Sequence, residues 1–185
     1  MIWYALTSPA ITAVGLPVTD ALLTTHMSML GTDATAITDL YPYVMAAVDE
    51  IEARAEIACF TRTIRCEIET PVDPHAAIPL PVGPVIDGSV AALAIVSPDG
   101  SIETVSPAAH WIAPGPRPAL RIIDNGLAPA GLAMEGGTLR IDYPAGFGTT
   151  AASIPGDLGL AIADQALRLY ERRGDEDHRS TSLAP

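Results

Sequence analysis

Residues 138–158 read TLRIDYPAGFGTTAASIPGDL, and within this stretch the chain passes from a strand to a helix. Thr138 to Tyr143 form a short predicted strand, which ends at a cluster of Pro and Gly residues. A helix begins after it, because Pro155 suits the first helical position and Asp157 places a negative charge at the positive end of the helix dipole. The protein is therefore predicted to combine strands and helices.

An apolar stripe at helical spacing continues from this start. It consists of Leu158, Ile162, Ala166, Leu169 and Tyr170. Arg168, Arg172 and Arg173 occupy the predicted last turn, where cations interact favourably with the dipole, and Gly174 is expected to end the helix. Residues 175–185 are polar and have no apolar period, which predicts a disordered tail.

Two more helices are predicted near the N-terminus. The first begins at Thr19 and Asp20, an N-cap followed by an acid in the first turn, and Gly31 is expected to close it. The second is clearly amphipathic over residues 36–58.

The second helix contains Pro42. A proline inside a helix costs about 3 kcal/mol, whereas one in the first turn removes an N–H that has no helical partner. The helix is therefore expected either to begin near Thr38 or Asp39, or to kink at Pro42.

The segment between these helical parts has the pattern of strands and turns. Polar and charged residues alternate with apolar ones over residues 61–69, which predicts a strand with a charged, open face. A Pro98-Asp99-Gly100 turn joins two strands of a hairpin, Val90 to Ser97 and Ser101 to Val105. Further short strands are predicted at Trp111-Ile112 and at Ala119 to Ile123.

These elements predict an α+β fold, in which an N-terminal helix pair and a C-terminal helix pack together around an inserted small antiparallel β-sheet domain. The predicted parts are an N-terminal arm (1–17), a helical part (18–60), a β-rich insert (61–150), a C-terminal helix that completes the helical part (151–174) and a disordered tail (175–185).

The composition favours a globular protein and opposes several functions. With 49% hydrophobic and 17% charged residues, the chain of 185 residues is not expected to be disordered. Its net charge of -12, with ten arginines and no lysine, argues against binding to nucleic-acid phosphates. No apolar run is long enough to span a membrane, and Met1 to Val14 lacks the basic leader of a secretory signal. Cys59 and Cys66 are expected to be buried, reduced thiols of a cytosolic product.

Motifs for catalysis or cofactor binding were sought and are missing from the sequence. It contains no dinucleotide, P-loop or nucleophile-elbow pattern, and its four histidines are far apart, so neither a catalytic site, a cofactor nor a metal is expected. Glu67 and Glu69 share one strand face, as the two carboxylates of a glycosidase would, but an exposed sheet face explains them without a cleft. Trp3 is the best candidate for an intermolecular contact.

Four pieces of sequence occur in a fixed order between residues 14 and 175. They are LPVTDAL (16–22); the amphipathic helix running into FTRT (60–63); LPVGPV (80–85) with the Pro98-Asp99-Gly100 hairpin and AHWI (109–112); and LRIDYPAGFG (139–148) with IPGDL (154–158) and LYERR (169–173).

This order resembles the head-tail connector, or adaptor, proteins of tailed bacteriophages and gene transfer agents. Their patterns are P-V-T-L-x-E-A-K at the first helix, L-P-x-x-P-V-x-S-V with D-G and Y-x-V in the insert, then Y-x-A-G-Y-G, V-P-x-D-L and Y-E-x-R. The chain departs from them where Asp20-Ala21-Leu22-Leu23 replaces E-A-K, where Gly156 replaces a charged residue, and where Pro42 interrupts the second helix.

The resemblance implies a non-enzymatic subunit that forms a ring, typically twelvefold, on the portal protein. Such a ring extends the DNA channel, lets DNA pass without specific binding and offers a surface to the stopper or another tail component. The protein would occupy the cytoplasm during assembly and then the neck of the particle, with no membrane involved.

The family also inserts the segment after its last helix into the portal, which implies the same role for residues 174–185, although an unbound, frayed end is the alternative. The implied portal-binding residues are Arg172, Arg173, Gly174, His178, Arg179, Leu183 and Pro185. Subunit or tail contacts are expected on helix 36–58 and at Trp3, Arg62, Arg65, Glu67 and Glu69.

Two other functions remain open at this stage. A stopper or tail-terminator also forms rings in such particles, although those proteins resemble small barrels without an initial helix pair. A β-rich carbohydrate-binding module is the alternative from another class, because Trp111 could stack on a sugar and Glu67 and Glu69 could supply carboxylates.

Overall fold

The computed structural model describes residues 2–5, 15–26, 34–86, 88–89, 91–123, 130–133 and 135–181. The chain divides into two compact units, each built from two segments. The β unit comprises Met1–Pro9 and Glu56–Phe147, and the helical unit comprises Ala10–Ala55 and Gly148–Pro185. Mixed helices and antiparallel sheets confirm the predicted α+β class.

The β unit contains two antiparallel sheets. Its strands are β1 (Ile2–Ala5), β2 (Arg62–Glu69), β3 (Ile78–Pro79), β4 (Ala92–Val96), β5 (Ile102–Thr104), β6 (His110–Ala113), β7 (Ala119–Ile122) and β8 (Thr138–Ala145). One sheet has the order β1-β2-β8-β4-β5, and the other has the order β3-β7-β6. The predicted hairpin is present as β4 and β5.

The centre of the larger sheet is the pairing of β2 with β8. Every residue of β2 has a partner in β8, from Arg62 opposite Ala145 to Glu69 opposite Thr138. Along β8 half-buried and buried side chains alternate strictly, as expected for a strand with one face in the core. The buried faces of both sheets contribute to one hydrophobic cluster.

The side chain of Tyr143 on β8 ties the sheet to the LPVGPV segment. Its hydroxyl accepts a hydrogen bond from the Val82 N–H at 3.0 Å and donates one to the Val82 carbonyl at 3.1 Å. The ring is fully buried, and this desolvation raises the pKa of the phenol above its usual value. One side chain thus satisfies both backbone groups of a buried residue outside the sheet.

Gly146, directly after β8, is required by its surroundings. Its φ is +138°, and a Cβ atom there would lie 2.5 Å from the backbone N and Cα of Thr61. Its N–H donates to the Pro84 carbonyl at 2.8 Å. The chain therefore passes so close to residue 61 that no side chain fits.

The helical unit contains α1 (Asp20–His26), α2 (Ala34–Ala55) and α3 (Gly156–Thr181). The Oγ1 atom of Thr19 caps α1 by accepting a hydrogen bond from the Leu22 N–H at 3.2 Å. Helices α2 and α3 pack together, with Tyr43 and Tyr170 edge to face at 5.4 Å. Buried residues of the unit include Leu23, Leu40, Val44, Ala47, Val48, Ile162, Ala163 and Ala166.

One helix boundary was predicted wrongly. Gly174 does not end the last helix, and the segment predicted as a disordered tail is helical as far as Thr181. A glycine inside a helix costs only about 1 kcal/mol relative to alanine, and the following Glu176 and Arg179 are good helix formers. Leu183 and Pro185 lie outside the described residues.

Helix α2 begins at Ala34, so it does not start near Thr38 or Asp39, and Pro42 lies inside it. Packing explains why this proline is tolerated, because most helix stability in a folded protein comes from the buried face. Leu40 and Val44, on either side of Pro42, are both buried. The predicted end of α1 at Gly31 lies outside the described residues.

Part of the predicted N-terminal arm is a strand. Residues Ile2 to Ala5 form β1, which pairs with β2 in antiparallel register, with Trp3 opposite Cys66. The β-branched and aromatic side chains of Ile2, Trp3 and Tyr4 suit a strand. Cys66 and Cys59 are buried and form no disulfide, and burial raises the pKa of the Cys66 thiol to about 11.

Replacing Tyr143 by phenylalanine tests the link to Val82. Tyr143→Phe leaves the Val82 N–H and carbonyl without their hydrogen-bond partner, so the free energy of unfolding should fall by about 2–3 kcal/mol. Urea denaturation measures this change. Tyr41→Phe, at a partly exposed tyrosine, is the control and should change stability by less than about 0.5 kcal/mol. Equal effects of the two substitutions would contradict this role of the hydroxyl.

Replacing Gly146 by alanine tests the close approach to residue 61. Gly100 is a matched control, since it also has a positive φ, +86°, but no atom within 4 Å of an added Cβ. Gly100→Ala should cost about 1–2 kcal/mol through backbone strain alone. Gly146→Ala should cost at least about 2 kcal/mol more in urea denaturation, because strain and overlap add. A Gly146→Ala protein as stable as the control would refute the close contact.

Candidate functional site

Two of the charged residues predicted to make contacts, Arg65 and Glu67, form ion pairs with residues of β8 across the larger sheet. Arg65 on β2 lies opposite Asp142 on β8 and binds its carboxylate with two hydrogen bonds, Nε to Oδ1 at 2.7 Å and Nη2 to Oδ2 at 2.6 Å. These bonds raise the pKa of the Arg65 guanidinium, so it stays charged. Glu67 similarly accepts a hydrogen bond from Arg140 Nε at 3.0 Å.

Both ion pairs lie on the face of the sheet that points away from the hydrophobic core, here called the outer sheet face. Their four side chains are 22–28% exposed. Apolar residues lie on both sides of them, on the edge strands and on β4. These are Ile2, Tyr4, Ala92, Ala94, Val96 and Ile102. The outer sheet face thus has neutralised charges in the middle and apolar edges, a composition suited to contact with another protein.

The ion pairs of the outer sheet face also decide whether Glu67 and Glu69 on β2 could act as a catalytic pair of carboxylates. Glu67 is bonded to Arg140, while Glu69 is exposed at the end of the strand. Neither side chain lines one of the cavities described below. The two residues therefore do not form the facing carboxylate pair that glycoside chemistry needs.

Arg62 does not share this face. Alternation along β2 places it with Ile64 and Cys66, and it is partly buried. Trp111 lies on β6 opposite Arg121, and its side chain is 47% exposed.

Trp3 lines a cleft in the β unit, here called the Trp3 cleft, with a volume of about 460 Å³. Its other walls are Glu56, Pro79, Leu80, Pro81, Arg117, Pro118 and Ala119. Arg117 Nη1 donates to Glu56 Oε2 at 2.8 Å, and both side chains are largely exposed. The cleft therefore combines rigid apolar rings with one ion pair whose charges cancel.

The helical unit has a groove of about 560 Å³, lined by Gly15, Leu16, Val18, Asp20, Tyr41, Pro42 and Met45. In the same unit, Arg172 is exposed on α3. For Arg173, Gly174, His178 and Arg179 the structure describes the backbone, which is helical. The residues predicted to bind the portal thus belong to the last turns of α3 as far as they are described.

Metal-binding groups and membrane-spanning helices are two further features that bear on function. Within the described ranges, no group of three or more His, Cys, Asp or Glu side chains could hold a metal ion. In the same ranges, no helix is both long and apolar enough to cross a membrane. The candidate sites are therefore surfaces: the outer sheet face, the Trp3 cleft and the end of α3.

The sequence did not identify the partners of Arg65 and Glu67. Arg140 and Asp142 are two residues apart on β8, so they share a face, and their opposite charges match those of Arg65 and Glu67 in reverse order. This complementary order was the available signal.

A double-mutant cycle tests the strength of the Arg65–Asp142 pair. Removing each side chain and then both, with Arg65→Met and Asp142→Asn, should give a coupling energy of about 1.5–3 kcal/mol, because the pair is two-pronged and partly shielded from water. The exposed pair Arg117–Glu56 is the control and should couple by less than about 1 kcal/mol. Urea denaturation measures both, and equal coupling energies would be inconsistent with shielding of the sheet pair.

Comparison with known proteins gives a result at the level of structure. No protein-family model and no curated protein sequence matches the chain. A solved structure of the neck of an empty gene transfer agent particle, computed with C6 symmetry, matches with a TM-score of 0.72 and 28% identity. The match covers 92% of this chain and 84% of the other.

Two further solved structures of gene transfer agent particles also match the chain. One is the virion of a native gene transfer agent particle, with a TM-score of 0.68 and 28% identity. The other is the neck of a native particle computed with C12 symmetry, with a TM-score of 0.65 and 27% identity. Each covers 92% of this chain. The resemblance predicted from the sequence is thus confirmed: over nearly its whole length the chain is similar to a structural component of the neck of gene transfer agent particles.

Proposed function

We propose that this chain is a head-tail connector (adaptor) subunit, which forms a ring on the portal and links the DNA-filled head to the tail. The observation that carries the proposal is the structural match over 92% of the chain to proteins in particle necks. One neck was computed with C12 symmetry, which supports a twelvefold ring. The proposed role is structural and needs no catalysis.

The charge of the chain fits a channel through which DNA slides. A net charge of -12 repels phosphates, and a ring multiplies this charge by its number of subunits. Cationic contacts would hold DNA and slow its exit. The ring would therefore let DNA pass through its lumen without specific binding.

The end of α3 is the proposed portal-binding element. A helix of 26 residues is about 39 Å long at about 1.5 Å per residue, so its last turns can reach beyond the packed helices. Arg172, Arg173 and Arg179 would pair with acidic groups of the portal, and Leu183 would enter an apolar pocket. Gly174, His178 and Pro185 belong to the same segment.

The outer sheet face is proposed to contact the stopper or another tail component. Its ion pairs, Arg65–Asp142 and Glu67–Arg140, are already formed, so burying them in an interface leaves no charge without a partner. Helix α2 is proposed as a contact between subunits.

The helical unit favours an adaptor over the alternative of a stopper or tail-terminator, which are expected to be small barrels. For the carbohydrate-binding alternative, the bond between Glu67 and Arg140 removes the proposed pair of catalytic carboxylates.

Counting copies tests the proposed function. Quantitative mass spectrometry of particles purified from the source cells should find this chain in a ratio near one to one with the portal protein. Absence from the particles, or a ratio of hundreds to one, would overturn the proposal.

Truncation tests the portal-binding element. A chain lacking residues 174–185 should keep its melting temperature and lose only the helical circular dichroism signal of residues 174–181, but its binding to the portal should fall by at least tenfold. The control replaces these residues by a scrambled sequence of the same composition, which keeps length and charge and should also fail to bind. Undiminished binding by either variant would show that the portal contact lies elsewhere.

A further inference from the structure

Strand β1 is an open edge of the larger sheet. It pairs with β2 on one side, and no described strand pairs with its other side. Its side chains are exposed, at 69% for Ile2, 44% for Trp3 and 43% for Tyr4. An edge strand of this kind offers backbone N–H and C=O groups and apolar side chains to another extended chain.

Of the other three edges in the β unit, β5 and β3 have features that discourage such pairing, whereas β6 (HWIA) has no carboxylate, arginine, proline or glycine. Strand β5, at the opposite edge of the same sheet, is three residues long and carries Glu103. Strand β3, an edge of the smaller sheet, is two residues long and contains Pro79, which has no N–H to donate. By contrast, the sequence of β1, IWYA, has no charge, proline or glycine. Features that discourage edge pairing are therefore present at β5 and β3 and missing at β1 and β6, and of these two edges only β1 contributes a residue to the Trp3 cleft.

The Trp3 cleft adjoins this open edge. Trp3 belongs to β1 and also forms a wall of the cleft, together with Pro79, Pro81 and Pro118. A strand added beside β1 would place alternate side chains on the same face as Trp3. Backbone pairing would then provide affinity, and the cleft would select an apolar side chain from the added strand.

Charge indicates what occupies this site. Two copies of a chain with a net charge of -12 repel each other, so contact between them is least costly where neither surface carries an unmatched charge. Strand β1 has no charged residue, and the only charges lining the cleft, Glu56 and Arg117, neutralise each other. The rotational symmetry of the similar neck structures is that of a ring, and in a ring each copy offers one surface to the next copy and receives a different one.

From these observations we infer that β1 is the docking edge between neighbouring copies, where an extended segment of the adjacent copy adds a strand beside Ile2–Ala5 and inserts an apolar side chain into the Trp3 cleft. This inference rests on the proposed function, because it takes the ring as given and names the surface that closes it.

Photo-cross-linking in assembled particles tests the inference. Ile2→p-benzoylphenylalanine places a photoreactive group on β1, and Ile102→p-benzoylphenylalanine places it on β5 as a matched control, since these isoleucines are 69% and 61% exposed on opposite edges of one sheet. After irradiation, the variant at Ile2 should yield a covalent dimer of the 19.3 kDa chain, at least fivefold more than the control. Mass spectrometry identifies the partner peptide.

A second pair of variants tests the docking edge without the bulky photoreactive group, which can itself disturb assembly. Ile2→Lys adds a charge to the edge and should lower the number of copies per particle at least tenfold, whereas Ile86→Lys, at an isoleucine that is 55% exposed and outside the candidate sites, should leave it unchanged. Both isolated chains should melt at the same temperature as the original, since both positions are exposed.

The outcomes separate the two proposals. If the chain is present in particles but Ile2 cross-links to no protein, to a different protein, or no better than Ile102, the docking edge is wrong and the proposed function stands. An unchanged number of copies per particle for Ile2→Lys would also overturn the docking edge and leave the proposed function standing. If the original chain is absent from particles, the proposed function fails and the docking edge fails with it.

Discussion

The rest of the β unit depends on the antiparallel pairing of β2 with β8, which joins residues 69 to 83 positions apart. A shift of this register by one residue would move Arg65 and Glu67 into the core and Ile64 and Cys66 into water. The ion pairs with Asp142 and Arg140 require the same register as the buried faces do. The hydrophobic core and the outer sheet face therefore specify one alignment together, and the strands on either side, β1 and β4, take their positions from it.

Local patterns in the sequence predicted most of the elements but not their long-range partners. The period of two over residues 61–69 and the Pro98-Asp99-Gly100 turn led to β2 and to the β4–β5 hairpin. The error arose where packing overrides local preference, because α3 continues through Gly174. Pro42, whose position relative to the helix start was left open, lies inside α2. Strand β1 is only four residues long, too short to show a clear period, and its strand character depends on pairing with β2. In the same way Trp3 could be singled out, but the prolines around it could not, because they come from distant segments.

The outer sheet face and strand β1 differ in their charged residues. On the outer sheet face, arginines and carboxylates are paired in advance, whereas β1 has no charged residue at all. Both arrangements let a surface enter an interface without leaving a charge unmatched, at low desolvation cost. In the proposed ring, an acidic chain would gain from such neutral areas at its contacts, while its remaining carboxylates would repel DNA.

The position of β8 also matters for synthesis on the ribosome. Strand β8 lies in the middle of the larger sheet, yet it is the last strand to be translated, and α3 follows it. A nascent chain that stops before residue 138 has β1, β2, β4 and β5 without the strand that unites them. Such fragments lack the central strand of the larger sheet, so neither the ion pairs between β2 and β8 nor the buried face of β8 can form until the region after residue 138 has been translated. Folding of the β unit is therefore expected to wait for the synthesis of β8.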